Sequence, residues 1–188
     1  MKAVYIVNDV KIAKILLDPM RRAILDLLRQ KPMTQAGLSN ELGLTWSSLN
    51  HHMKILRSLL YAFKRELERH GIMQIFLSSV AYLFVYDLDS LPKNIARYVY
   101  PVSLERARVL VSLLVMNNKE LSPAYEIEYT QEAFNMISEK LSRHIIIVAK
   151  PYENKIINHC DERYAYEIYA KAMTNLLKED IKHLLIPK

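Results

Sequence analysis

The chain has 188 residues, 51% of them hydrophobic and 24% charged, with a net charge of +6. That is enough chain for one or two domains with real cores, and no uncharged apolar run approaches the ~18 residues of a membrane span. The single cysteine, Cys160, excludes an internal disulfide and a thiolate cluster for zinc or iron–sulfur, and no basic segment followed by a cleavable apolar stretch opens the chain, so a cytoplasmic protein is expected.

Taken in order, Val10, Ile12, Ala13, Leu16 and Leu17 predict a short amphipathic helix over 9–17. Asp18-Pro19 is a helix start, an N-cap acid followed by proline at the first helical position. The helix it opens places Met20, Ile24, Leu27 and Leu28 on one side and Arg21, Arg22 and Arg29 on the other. Lys31-Pro32 closes it, because proline disfavours helix at the residue before it. Thr34 caps the next helix, which turns Leu38 and Leu42 inward, and Thr45 caps the one after, which turns Leu49, Met53 and Leu56 inward. Tyr61–Leu67 and Ile72–Leu77 are rich in aromatic and branched residues and are separated by Glu68-Arg-His-Gly71, which predicts a β-hairpin with a charged tip. A strand or a helix continues through Val80–Tyr86.

Asp89 or Ser90 to Pro92 marks a boundary, dividing the chain into residues 1–88 and 89–188. The second part is predicted to be helical over 92–100, 103–116, 130–149 and 162–185, with connecting segments over 119–129 and 150–160. Its broad apolar stripe, from Ala165 and Ile168 to Ala172, Leu176, Ile181 and Leu184, needs cover from another helix, in the same chain or in a second copy. Tyrosines at 98, 100, 125, 129, 164, 166 and 169 could line an effector pocket; core or interface packing is the plainer reading.

Thr34–Arg57 is the segment with a legible function. Two short helices joined at Gly43 form a helix-turn-helix, the arrangement that lays its second helix in the DNA major groove. Glycine suits the turn because the crossing needs a left-handed backbone, Ser39 is small at the crossing point, and Leu38, Leu42, Leu44 and Leu49 are spaced for the core between the helices. The outward residues are Thr45, Trp46, Ser47, Ser48, Asn50, His51 and Lys54, followed by Arg57. Asparagine pairs bidentately with adenine, serine and threonine bond bases or phosphates, and lysine neutralises phosphate. Trp46 either meets a thymine methyl or sugar or folds back on the preceding helix. His52 falls on the inner edge, where a partly buried histidine bonded to backbone is the plainer reading than a base contact.

Charge agrees with this placement. Residues 1–87 carry 12 Lys/Arg against 7 Asp/Glu, whereas 88–188 carry 14 against 13. No acidic residue interrupts Leu42–Arg65, a local excess of the kind that marks a polyanion-binding face; a solvated basic surface is the bland alternative.

Residues 18–77 resemble the winged-helix domain of ArsR-type transcriptional regulators, particularly archaeal members, through DPMRRAILDLL, LSNELGLTWSSLNHHMKIL and the hairpin RELERHGIMQIF in the place of the wing. His52-Met53 and their spacing to Leu56 are the most telling details. The resemblance implies a homodimer inserting the Thr45–Leu59 helix into successive major grooves, with Arg65, Arg69 and His70 of the wing at the adjacent minor groove or phosphates. Two recognition helices about one DNA turn apart, ~34 Å, would match a pseudo-palindromic operator. The family's glycine after the recognition helix is missing from Arg57-Ser-Leu-Leu-Tyr-Ala, so the usual left-handed stop is absent.

The paired cysteines of metal-sensing members are absent from Ala36–Gly43, and His159, Asp161, Glu179 and His183 are poorly spaced for one site, so no metal or other cofactor is expected. Three glycines in all leave no phosphate-cradling loop, and Cys160 between His159 and Asp161 lacks the geometry of a nucleophile; no catalysis is expected. The expected fold is mainly α, with α+β character in the N-terminal part: a winged helix-turn-helix over 1–88, then an α-helical dimerisation or sensing domain. The function expected is a sequence-specific DNA-binding regulator, a homodimeric repressor, with double-stranded DNA and an unidentified small-molecule effector as partners and no membrane. The alternative is a winged-helix protein-interaction module of a larger assembly.

Overall fold

The computed structural model describes residues 1–66, 73–95, 131–158 and 162–178. In chain order they form β1 (Lys2–Val7), α1 (Val10–Leu17), α2 (Pro19–Gln30), α3 (Gln35–Leu42), α4 (Trp46–Leu56), a 3-10 turn (Arg57–Leu59), β2 (Leu60–Glu66), β3 (Met73–Ser79), β4 (Ala81–Tyr86), α5 (Gln131–Ala149) and α6 (Arg163–Lys178). The fold is mainly α, a winged helix-turn-helix followed by a helical region. The expected helix over 103–116, the expected helix over 92–100 beyond residue 95, the connection 119–129, the wing tip 67–72 and the chain beyond 178 lie outside the described residues.

Local chemistry starts and stops the N-terminal helices. The side chain of Asp9 accepts from the backbone N–H groups of Lys11 and Ile12, that of Asp18 from Arg21 and that of Thr34 from Gly37. Each satisfies an otherwise orphaned donor in a first helical turn. α3 ends at Gly43, which adopts φ +63°, and the N–H of the next residue, Leu44, returns to Ser39 O at 3.0 Å. Ser39 Oγ donates to Leu44 O at 2.6 Å, so the small residue at the crossing also ties the turn.

The two strands predicted for the wing form. β2 and β3 are antiparallel, in a register that pairs Tyr61 with Ser78, Phe63 with Phe76 and Arg65 with Gln74. Met33, between α2 and α3, adds a one-residue bridge to Leu77 through bonds of 3.0 and 2.8 Å, which fastens the hairpin to the helices. Leu28, Leu38, Leu49, Leu56 and Leu59 are fully buried in the core beneath.

The N-terminal strand is a feature that the sequence analysis did not contain. β1 runs parallel to β4, with Val4 opposite Leu83 and Val7 opposite Tyr86. Parallel strands require a long crossover, and here the crossover is the entire winged helix. Val80–Tyr86, open between strand and helix in the sequence, is therefore a strand from Ala81 onward. β1 is buried on both faces. Val7 joins the helix-turn-helix core, while Ala3, Val4 and Ile6 pack with Tyr82, Leu83, Val85, Ala149, Ile157 and Ile168. The 150–160 connection opens with a 3-10 turn, and Ile156 forms an antiparallel bridge to Lys2. α6 turns Ile168, Ala172 and Leu176 inward, so within the described residues part of its apolar stripe is covered by the same chain. No described helix is long and apolar enough to cross a membrane.

A methyl group on Gly43 would meet nothing within 4 Å. Gly43→Ala is therefore expected to cost only the left-handed backbone, about 1–2 kcal/mol, read as a lower denaturant midpoint with an unchanged slope.

Candidate nucleic-acid interface

α4 is held from behind by Leu49 and Leu56, both fully buried, with Met53 packed partly against them. Thr45 caps it, its Oγ1 accepting from the Ser48 N–H at 3.3 Å, so this hydroxyl has a structural task besides any contact with a ligand. The opposite face is open. Thr45, Trp46, Ser47, His51, Lys54 and Arg57 are exposed, and Ser48 and Asn50 are half-buried at its margins. At about 100° per residue, Ser47, Asn50, His51 and Lys54 form one stripe. Trp46 is 57% exposed. The helix presents hydroxyls, an amide, imidazole and two cations without a carboxylate.

The missing glycine after Arg57 has a structural answer. The α-helix stops at Leu56, three residues short of the span expected from the resemblance, and the chain tightens into the 3-10 turn Arg57–Leu59. Burial of Leu59 at the end of that turn, together with the bond from Val80 N–H to Leu59 O at 3.0 Å, directs the chain into β2. A 3-10 turn thus replaces the left-handed stop.

Arg65 is exposed on β2 and shares a hairpin face with Phe63 and Phe76, whose rings stack at 6.1 Å between centroids. Arg69 and His70 lie outside the described residues. The wing also exposes Tyr61, Met73 and Ile75, an apolar character that the run of aromatic and branched residues signalled without showing which side chains stay in solvent.

His52 is half-buried as expected, but the backbone bond is not there: its Nδ1 is enclosed without a hydrogen-bond partner. It lies close enough to influence Asp18. The carboxyl of Asp18 is held below the usual aspartate value; burial pushes it up, and the Arg21 N–H, the Arg21 guanidinium and His52 outweigh that push. The Arg21–Asp18 ion pair is 3.2 Å long.

Among the described residues no group of three or more His, Cys, Asp or Glu could hold a metal ion; His159, Cys160, Asp161, Glu179 and His183 fall outside them. Residues 18–59 match the profile of a family described as bacterial regulatory protein, arsR family. The match spans α2 to the 3-10 turn and stops before the wing, and it agrees with the resemblance seen in the sequence. The crystal structure of NolR from Sinorhizobium fredii is similar to 50% of this chain and 78% of NolR, at 23% identity and a TM-score of 0.31. No curated relative matches the chain.

Because the folded carboxyl is the stronger acid, the stability that Asp18 contributes is complete above its unfolded value, ~3.9, and is lost as pH falls through the lower folded value. Asp18→Asn retains an N-cap acceptor and is expected to flatten the acid limb of stability against pH. Asp18→Ala loses the cap as well, at a cost of about 1 kcal/mol at neutral pH. Thermal unfolding between pH 2 and 7 distinguishes the two, and an unchanged acid limb in Asp18→Asn would refute the lowered carboxyl of Asp18.

Proposed function

We propose that this protein, whose residues 18–59 carry an arsR-family helix-turn-helix, is a homodimeric, sequence-specific DNA-binding transcriptional repressor of the cytoplasm. The observation that carries the reading is the acid-free outer face of α4, braced by buried leucines and flanked by a hairpin wing.

In this reading α4 and the turn after it, residues 45–59, enter the major groove. Asn50 reads a base edge, with adenine as its best geometric match. Ser47, Ser48, Thr45 and His51 bond base edges or phosphates, and Trp46 contributes apolar contact with a thymine methyl or sugar. Lys54 and Arg57 neutralise phosphates, which position the protein without reading sequence. Arg65, Arg69 and His70 serve the wing's contact with the neighbouring minor groove or backbone. Residues 1–88 hold the DNA, and residues 89–188 dimerise or sense an effector. A two-fold dimer of this kind selects a pseudo-palindromic operator with half-sites about one turn, ~34 Å, apart.

One observation favours a second reading, a protein-interaction module in a larger assembly. Tyr61 and Phe63 are exposed on one face of the wing and Met73 and Ile75 on the other, and exposed apolar side chains on a hairpin are the kind of surface that another protein covers. That reading requires no preference for any duplex sequence and a partner that co-purifies.

Selection of bound duplexes from a random pool separates the two, with an enriched inverted repeat expected for the repressor. Against that site Asn50→Ala is expected to weaken binding by about 1–3 kcal/mol and relax one base position, whereas Lys54→Ala weakens all sequences alike and lowers the salt slope by about 1. If the Asn50→Ala/Lys54→Ala double variant binds the selected site as well as the parent, α4 is not the reading helix.

A further inference from the structure

A cleft of about 420 Å³ lies between α2, β4 and the C-terminal helices, within the ~300–1,000 Å³ range of small-molecule sites. Four consecutive residues, Leu83 to Tyr86, line it. A strand shows only alternate residues on a face, so the cleft borders the edge of β4. That edge is open because β4 pairs with β1 on its other side only, among the described residues.

The polar lining is lopsided. Asp26 is answered by Arg29 at 3.3 Å, and the Arg29 guanidinium also lies 5.5 Å from the centroid of the Tyr82 ring. Arg22 lines the same cleft, half-buried, and forms no ion pair among the described residues. The cleft therefore carries one unanswered positive charge beside an apolar wall of Phe84, Val85 and Ile145. A partly buried guanidinium gains most from a planar carboxylate, which it meets through two parallel hydrogen bonds.

We propose that this cleft is the effector site of the protein and that its ligand is a small monocarboxylate with an apolar or aromatic body. The carboxylate meets Arg22 and the hydrocarbon lies against β4 and Ile145. α2 forms one wall, and its other side shares a core with α4 through Ile24, Leu28, Leu49 and Leu56, so occupancy bears on the helix assigned to DNA. The regulatory half of this statement rests on the DNA-binding reading; the binding half does not.

Titration calorimetry on the full chain without DNA tests it, with 3-phenylpropionate, indole-3-acetate and octanoate as probes against the corresponding amides. At least one acid is expected to bind, its amide about tenfold or more weaker, and Arg22→Gln to lose about tenfold or more in affinity for the acid, the size of a hydrogen bond to a charged group. Ile145→Trp, which fills the cleft and leaves the cation in place, is expected to abolish binding even if Arg22→Gln proves unstable. The proposal is overturned if none of the acids binds, if acid and amide bind alike, or if either folded variant binds as the parent does. Because no DNA is present, such a failure leaves the role of α4 intact, and loss of operator binding in the α4 variants leaves the cleft intact.

Discussion

Leu28, Leu38, Leu49, Leu56 and Leu59 are excluded from solvent, and the position of every residue assigned to DNA depends on how they pack. Leu49 and Leu56 fix the rotation of α4 about its axis, which decides that Ser47, Asn50 and Lys54 face outward. Leu59 fixes where the chain leaves the 3-10 turn, and hence where the wing begins. A leucine-to-alanine change in such a core costs about 2–5 kcal/mol, comparable to a small domain's margin of stability. The outward face is polar because the inward face is committed.

A second constraint joins the helix-turn-helix to the rest of the chain. β1 and β4 are adjacent and parallel, and the whole winged helix is inserted between them in sequence. One side of this pair belongs to the core beneath α4, and the other packs on α5 and α6. Arg29 adds a tie of its own from α2, a bond of 3.4 Å to the backbone oxygen of Tyr82. Movement of the C-terminal helices against β4 therefore has a short physical route to α2. The ion pair of Arg143 with Asp89, 3.2 Å between exposed side chains, ties α5 to the first residue past the boundary drawn from the sequence, although a surface pair of that kind contributes little, about 0–1 kcal/mol.

What was legible in the sequence was local. Asp18-Pro19, Thr34, Gly43 and Thr45 act within one helical turn of themselves, and each starts or ends the element that it announced. The hairpin was legible for the same reason, since its two strands are neighbours in the chain. β1 was not. KAVYIV is buried on both faces and lacks the alternation of a half-exposed strand, and its partner lies on the far side of the helix-turn-helix. The end of α4 depended on Leu59 docking against Val80, a tertiary contact that no terminal glycine announced. The outward residues of α4 were legible from helical periodicity, but the exposed Trp46 and the unpartnered Nδ1 of His52 needed the packing around them. The cleft beside Arg22 combines four distant segments and left no signature in the chain.

The central claim is that α4 lies in the major groove, and methylation interference on a selected duplex addresses it most directly. Methyl groups on guanine N7 occupy the major groove and those on adenine N3 the minor groove. Interference by N7 methylation in two blocks about one helical turn apart, on one side of the duplex, is the expected pattern for a two-fold pair of recognition helices. Binding indifferent to N7 methylation, or blocked only by N3 methylation, would contradict the account.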